Sequence, residues 1–539
     1  MFQSNPGLQG LLKEGSRHYT GLEEAILKNI DAVKTLSKMT RSSLGPHGMN
    51  KMVITHIGKL IVTSDAATIV KEVEVQHPAA KMIAMAAQMQ EAEAGDGTNF
   101  VLTLSGELMQ QAENLIQEGL HPSDILVGYE KASQKCLEYL DSLSCYTIED
   151  VRNQEEVQKC VRSVVASKHY GNEDILAPLI SQAAIYAMPE NTKEFGVDNI
   201  RVTKILGGAL TDSEVIHGMC IIRGSETTIH KVEDAKVAIF NSPLEAENGD
   251  TKGTVLLKTA EELINYTKGE EKYMEKFVKK LADTGVNVVV SGGSISEVCL
   301  HFMEKYKIMV LRIHSKFETK RIAESLGGII LVRMDAPTPE EMGHASEVYT
   351  TEISSTQVTI FRRDEEDNKI GTIVLRASTN NVLDDAERAI DDGVNTIKNM
   401  TKNPAFCAGA GATEIHLASQ LQTFAKCQPG LDQYAVERFG QAFEIIPRTL
   451  SENAGLNAEE IIAKLYSETA KSPFYGIDVE DGKIKDMKEL EIYDSLECKS
   501  WGVRLAVDAV LTILKVDQII MSKPAGGPAQ RDARAPDLD

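Results

Sequence analysis

Gly95-Asp96-Gly97-Thr98-Asn99 is a glycine-flanked carboxylate that runs directly into an apolar stripe at Val101, Leu104, Leu108, Ala112 and Leu115. That spacing is one face of a helix. The stretch therefore predicts a helix N-terminus, where free backbone N–H groups and the positive dipole end favour an anion. Glycine on either side of Asp96 lets the backbone approach a bulky ligand. A carboxylate beside a phosphate cradle suits a bridging hard divalent cation, which makes Asp96 the candidate metal ligand. An ordinary helix cap is the alternative reading of the same residue.

Upstream, a helical pattern on Leu22, Ile26, Ile30, Val33 and Leu36 runs into Leu44-Gly45-Pro46-His47-Gly48-Met49-Asn50-Lys51. Gly-Pro and His-Gly are turn signals. Met52–Thr55 and Leu60–Thr63 then read as a hairpin across His56-Ile57-Gly58-Lys59. It delivers Asp65 to the start of another helix, a position that suits a helix cap. One N-terminal region thus offers two Gly-rich loops and two aspartates at element ends.

Composition narrows the field. With 539 residues, 42% hydrophobic and 25% charged, the chain has the make-up of a globular protein of more than one domain. The net charge of −22 argues against a nucleic-acid surface. No apolar run is long enough to span a bilayer. Met1-Phe2-Gln3-Ser4-Asn5-Pro6 lacks the features of a signal peptide. The eight cysteines lie singly, without Cys-x-x-Cys, which disfavours zinc and fits a reducing cytoplasmic setting. Neither a Walker-type P-loop nor Gly-x-Ser-x-Gly is present, so a standard P-loop NTPase or serine hydrolase is disfavoured.

Phosphate-binding signals occur before about 100 and after about 390, which suggests a discontinuous domain closing around one site. The middle reads as α/β layering. Strand-like runs at 237–240, 286–290, 308–311 and 328–332 alternate with amphipathic helices at 271–284, 295–306 and 317–326. Ser291-Gly292-Gly293-Ser294 reads as a βα turn, since no full dinucleotide fingerprint follows. Ser294 reads as a helix start, with Ile295, Val298, Cys299, Phe302 and Met303 on the packed side and Glu297, His301 and Glu304 on the other.

Leu-Gly-Pro-x-Gly-Met-x-Lys, then Ser-Asp-x-Ala-Thr-Ile, then Gly-Asp-Gly-Thr, resembles the group II chaperonins in that order. The resemblance continues through Leu383-Asp384-Asp385-Ala386-Glu387-Arg388-Ala389-Ile390-Asp391-Asp392, Gly409-Ala410-Gly411-Ala412-Thr413-Glu414 and Tyr475-Gly476-Ile477-Asp478-Val479. It implies a multi-domain α+β fold in three parts. They are a mostly helical equatorial ATPase domain (1–150 and 405–539), a small intermediate domain (151–217 and 371–404) and an α/β apical domain (218–370). Within the apical part, roughly 243–275 resembles a helical protrusion serving as a lid. After Ser522 the Pro-, Gly- and charge-rich tail reads as disordered.

The resemblance also implies ATP and Mg2+ as cofactors, with Asp96 on the metal. Leu44, Gly45, Gly97, Thr98 and Asn99 would meet the phosphates, and Lys168 would sense the last of them. Asp65 and Asp392 would serve the attacking water, and Gly409, Gly411, Asp478 and Glu489 would lie near base and ribose. Periodicity places Asp392 on the polar face of its helix, among other acidic residues, so only the motif distinguishes it from a solvated carboxylate. His47, Asn50, Ala66 and Ala410 depart from the family pattern. The implied partners are seven paralogous subunits in a hetero-oligomeric double ring, and unfolded clients including actin and tubulin. A structural ring subunit with little turnover, and a metabolic kinase, are the other classes; the kinase leaves the long middle unexplained.

Overall fold

The computed structural model describes residues 17–20, 22–55, 58–245, 260–363 and 370–521. The Thr98–Gln117 helix lies at the centre of the largest core. All five residues of its stripe are fully buried, and Phe100, Leu102, Thr103 and Met109 on other faces are buried too. A helix covered all round needs neighbours on every side. Chief among them are the Leu22–Arg41, Pro78–Glu93, Asp432–Ala442 and Leu496–Leu514 helices, with Pro122–Ser142 also in contact. Two of these start alike, at His77-Pro78 and His121-Pro122: the imidazole accepts from Ala79 N or Ser123 N, and proline fits the first helical position. This core joins residues from 26–143 with residues from 407–514. Both ends of the chain meet in the antiparallel pair Arg17–Thr20 and Gln518–Met521.

A second core unites the Gln154–Lys168, Glu173–Tyr186 and Asn380–Lys402 helices with a three-stranded sheet. In that sheet Gly371–Ala377 pairs in parallel with Ile200–Leu206 and antiparallel with Glu214–His217. Chain segments about 150–170 residues apart are thereby stitched together.

The middle of the chain builds a seven-stranded sheet. Met309–Arg312, Val288–Ser291, Lys231–Phe240 and Ile330–Leu331 are its parallel part, and Gly343–Ile353, Thr356–Arg362 and Met219–Ile221 run antiparallel. Strand alternation divides the side chains between two cores. Val288, Val290 and Leu311 face Ile322 and Leu326 of the Lys316–Leu326 helix. Val289 and Val310 face Phe277 of the Ala260–Asp283 helix and Cys299 and Met303 of the Glu297–Lys305 helix.

Three local expectations need correction. The Glu297–Lys305 helix is capped by Ser296, whose hydroxyl accepts from Cys299 N at 3.2 Å, so it starts after Ser294. Val298 is consequently exposed rather than packed. Only Ile330–Leu331 of the 328–332 run is strand, and Ile329 and Val332 are exposed. The Ser291–Ser294 stretch is a turn between strand and helix, in which Gly292 N donates to Phe240 O at 2.7 Å. Of the lid expectation, 246–259 lie outside the described residues, whereas 260–275 belong to the Ala260–Asp283 helix; the tail expectation, on 522–539, lies outside the described residues.

Candidate functional site

A cavity of ≈ 550 Å³ opens where the first two cores meet. That is within the range of small-molecule and cofactor sites. Its lining comes from the Leu44-Gly45-Pro46 loop, Asp96–Asn99, Lys168, Tyr170, the Ala410-Gly411 loop and Asp478–Glu480. Gly97 caps the central helix with φ 81°, a left-handed conformation that favours glycine. A Cβ there would meet Cys498 Sγ at 2.9 Å. Asp96 Oδ1 accepts from Gly97 N at 2.7 Å.

Behind this wall lies a cluster of carboxylates around one ammonium. Lys168 Nζ stands 2.8 Å from Asp65 Oδ1 and 3.0 Å from Asp392 Oδ2. The three side chains are 15%, 11% and 7% exposed. Asp65 is both helix cap and ion-pair partner, since its Oδ2 also accepts from Thr68 N at 2.9 Å. Burial works against its charge, but the Lys168 ammonium prevails and holds the carboxyl well below the usual range. Burial also opposes charge on Asp96 and Asp392; there it wins, and both are raised despite Lys168. Burial, then the Asp65 charge, pushes neighbouring Glu91 up to about 7. For Lys168, burial is outweighed by Asp392, Asp65 and Asp96, so it stays protonated. Asp392 Oδ2 has no aligned hydrogen bond despite its closeness to Lys168.

The polar-face reading of Asp392 is thereby corrected. Its helix, Asn380–Lys402, is buried on two sides. Leu383, Ile390 and Ile397 enter the second core, and the opposite face docks on the Gly95 loop. Asn399 Nδ2 donates to Ala94 O at 2.7 Å, and a Cβ on Gly95 would strike Asn395 at 2.2 Å. Asp65 and Asp392 do not line the cavity; Lys168 stands between them and it.

Leu44, Gly45, Asp96, Gly97, Thr98, Asn99, Lys168, Gly411 and Asp478 line the cavity. The Asn99 amide is engaged in holding the first loop, donating to Thr40 O and Ser43 Oγ at 3.2 Å each. Gly409 sits behind the cavity against Ile492 and Asp494. Glu489 is exposed and outside the lining, where Glu491 and Asp494 are found instead.

The TCP-1/cpn60 chaperonin family model matches residues 36–524. The chain belongs to the TCP-1/cpn60 chaperonin family. T-complex protein 1 subunit theta of Homo sapiens is 50% identical over 526 residues, covering 97% of this chain and 96% of that protein. The subunits of the same name from Dictyostelium discoideum (523 residues, 97% of each chain) and Arabidopsis thaliana (532 residues, 98% and 97%) are each 49% identical.

Several residues of this chaperonin-family site escaped the sequence reading. Gln90, fully buried, donates from Nε2 to Asp96 O at 2.8 Å and Cys498 O at 3.1 Å, pinning the loop that carries Asp96. Lys499 pairs with buried Glu414 and stands 3.0 Å from Asp494. Glu414 was visible as the end of its Gly-rich motif. Lys499 carried no signal beyond a cation near the start of a largely apolar helix.

Proposed function

We propose that the cavity binds ATP with Mg2+ and that the chain is an ATP-hydrolysing, theta-type subunit of a hetero-oligomeric double-ring chaperonin. It acts in the cytoplasm beside seven paralogous subunits, folding clients such as actin and tubulin. The division into equatorial (1–150 and 405–539), intermediate (151–217 and 371–404) and apical (218–370) parts belongs to the same proposal.

The residues fit the cation. Asp65, Asp96 and Asp392 surround one ammonium, an excess of negative charge that a divalent ion offsets. Among the described residues, no group of three or more ligating side chains would cage a metal alone. That suits magnesium, which takes one or two carboxylates and completes its shell with water and phosphate oxygens. Asp96 would hold it, and bound magnesium neutralises charge on the phosphates. The Gly97–Asn99 helix end offers N–H groups to the same oxygens. Asp392, its affinity for protons raised by burial, is suited to accept one from a water held at the Lys168 end.

One observation carries the reading. Lys168 of the second core is clamped between Asp65, which caps a helix beside the first core, and Asp392. Phosphate contact by Lys168 and release of Asp392 would therefore be linked. Asp392→Asn in the assembled particle is expected to leave nucleotide affinity within about two-fold and to lower this subunit's turnover by about 10²–10⁴. Unchanged turnover removes Asp392 from the chemistry. A subunit that binds nucleotide with little turnover is the second reading, favoured by Ala410, whose φ of 55° strains the loop beside the cavity.

A further inference from the structure

We propose that Tyr170 latches the mouth of this cavity through Glu480 and His47, and so sets the rate of nucleotide exchange. The inference rests on the reading of the cavity as a nucleotide site. Three chain segments far apart in sequence meet at the latch. The Tyr170 hydroxyl donates to Glu480 Oε1. The Tyr170 ring lies 5.1 Å from the His47 ring, tilted by 50°. Tyr170 and Glu480 both line the cavity, and His47 follows the lining residue Pro46. Tyr170 is 39% exposed, so it closes the outer edge of the cavity rather than its floor.

The segment bearing Tyr170 is a fixed bend. The Gln154–Lys168 helix ends at Lys168, and Gly171 takes φ 85°. Glu173 Oε2 accepts from Gly171 N at 2.7 Å, and Asn172 Nδ2 meets His169 Nδ1 at 3.0 Å. Its counterpart is equally well held. Glu480 stands in the turn between the paired strands Tyr475–Asp478 and Lys483–Asp486, and its N–H donates to Asp478 Oδ1 at 3.0 Å. Charge on Glu480 keeps the phenol protonated as a donor, pushing it up to about 12.

Position gives the latch its meaning. Tyr170 lies two positions after Lys168, a reach of roughly 7 Å even when extended. One bend thus carries the cation clamped by Asp65 and Asp392 at the back and the phenol at the mouth. Movement of Lys168 from the carboxylates toward a phosphate displaces Tyr170 as well, so opening of the mouth and occupancy at the back are coupled. A mainly structural role fits poorly. The bond joins two exposed side chains, satisfies no buried group and contributes little to folding.

The test uses the purified full chain loaded with Mg2+ and a fluorescent ADP analogue. An equilibrium titration first establishes that the wild type binds it. Release is then followed by stopped flow against excess ATP for wild type, Tyr170→Phe, Glu480→Ala and the double variant. Each single change is expected to speed release by roughly two- to ten-fold, the range of one hydrogen bond. The double variant is expected to be no faster than the faster single one, because both remove the same contact. Tyr170→Ala, which also loses the His47 contact, is expected to be the fastest. Release at the wild-type rate in all variants overturns the latch and leaves the nucleotide reading standing. Failure of the wild type to bind the analogue overturns both.

Discussion

The proposed nucleotide cavity and the far surface of the seven-stranded domain depart from the ordinary inside–outside pattern in opposite ways. Around the cavity, Asp65, Asp392, Glu414, Lys168 and Lys499 are withdrawn from water. On the sheet domain, large apolar groups face outward: Phe317 is 77% exposed, Val332 74% and Ile329 55%. Buried charge is costly unless paired, and exposed apolar surface is costly unless covered. A protein that tolerates both separates two tasks. Under the proposed function, the cavity would hold a small charged ligand in fixed geometry, and the sheet domain would offer apolar area to a large partner. The contrast also bears on where the proposed client contact would fall. Glu304 Oε1 accepts from Thr228 N at 3.1 Å, tying that side chain to its own domain. The apolar offer comes from the neighbouring Lys316–Leu326 helix through Phe317 and from Ile329 and Val332 just beyond it.

Lys168→Met is the harshest test of the charged end. It leaves Asp65 and Asp392 buried with no cation between them. Breaking a buried pair typically costs about 3–5 kcal/mol. Here about 2–4 kcal/mol is expected, because burial raises the proton affinity of Asp392 and, without Lys168, it can take up a proton. The pH dependence has a definite sign. The folded-state pKa of Asp65 is depressed, so its contribution is present above about pH 4 and lost as pH falls below that. In the variant that acid-side loss of stability should shrink. Denaturant unfolding between pH 3 and pH 7 measures both, and an unchanged acid profile would mean that Lys168 does not hold Asp65.

At the apolar end, two phenylalanines should part company. Phe302, partly buried, packs against the core beneath its helix, and Phe302→Ala is expected to cost about 2 kcal/mol. Phe317→Ala should change stability by less than about 0.5 kcal/mol while weakening capture of an unfolded client. Thermal unfolding and client co-sedimentation separate the effects. Equal destabilisation by both changes would erase the distinction between covered and offered surface.

Legibility followed the same divide. The Thr98–Gln117 helix is plain from the period of its apolar stripe alone, although its other faces are largely buried too. Asp392 was not, because amphipathic reasoning assigns a polar face to water, whereas this one docks on the Gly95 loop. Nothing in a helical period reports a second partner made of backbone and charge. Glu489 was misplaced for a different reason. Glu491 takes φ 56° just before the Tyr493–Ser495 strand, and that turn carries Glu491 and Asp494 to the cavity while leaving Glu489 outside. A motif match lists the acidic residues but does not say which side of a turn faces inward.

The smallest expected effect comes from Ala410, where the nucleotide end meets its backbone limit. A left-handed conformation costs a residue with a Cβ about 1–2 kcal/mol, and Ala410 holds φ 55°. The surroundings enforce it: Ala410 O accepts from Ile477 N at 3.1 Å, joining the Gly-rich loop to the strand that carries Asp478. Ala410→Gly relieves the strain but loosens the unfolded chain by about 0.4–1 kcal/mol, so a net gain of about 0.5–1 kcal/mol is expected. Nucleotide affinity should rise or hold, because the loop beside the cavity no longer stores strain. The Ala410 methyl does touch the small cluster around Met487, which sets the opposing possibility. A variant less stable than wild type would mean that this packing outweighs the strain, and that the charged end of the molecule relies on apolar contact more than its side-chain inventory suggests.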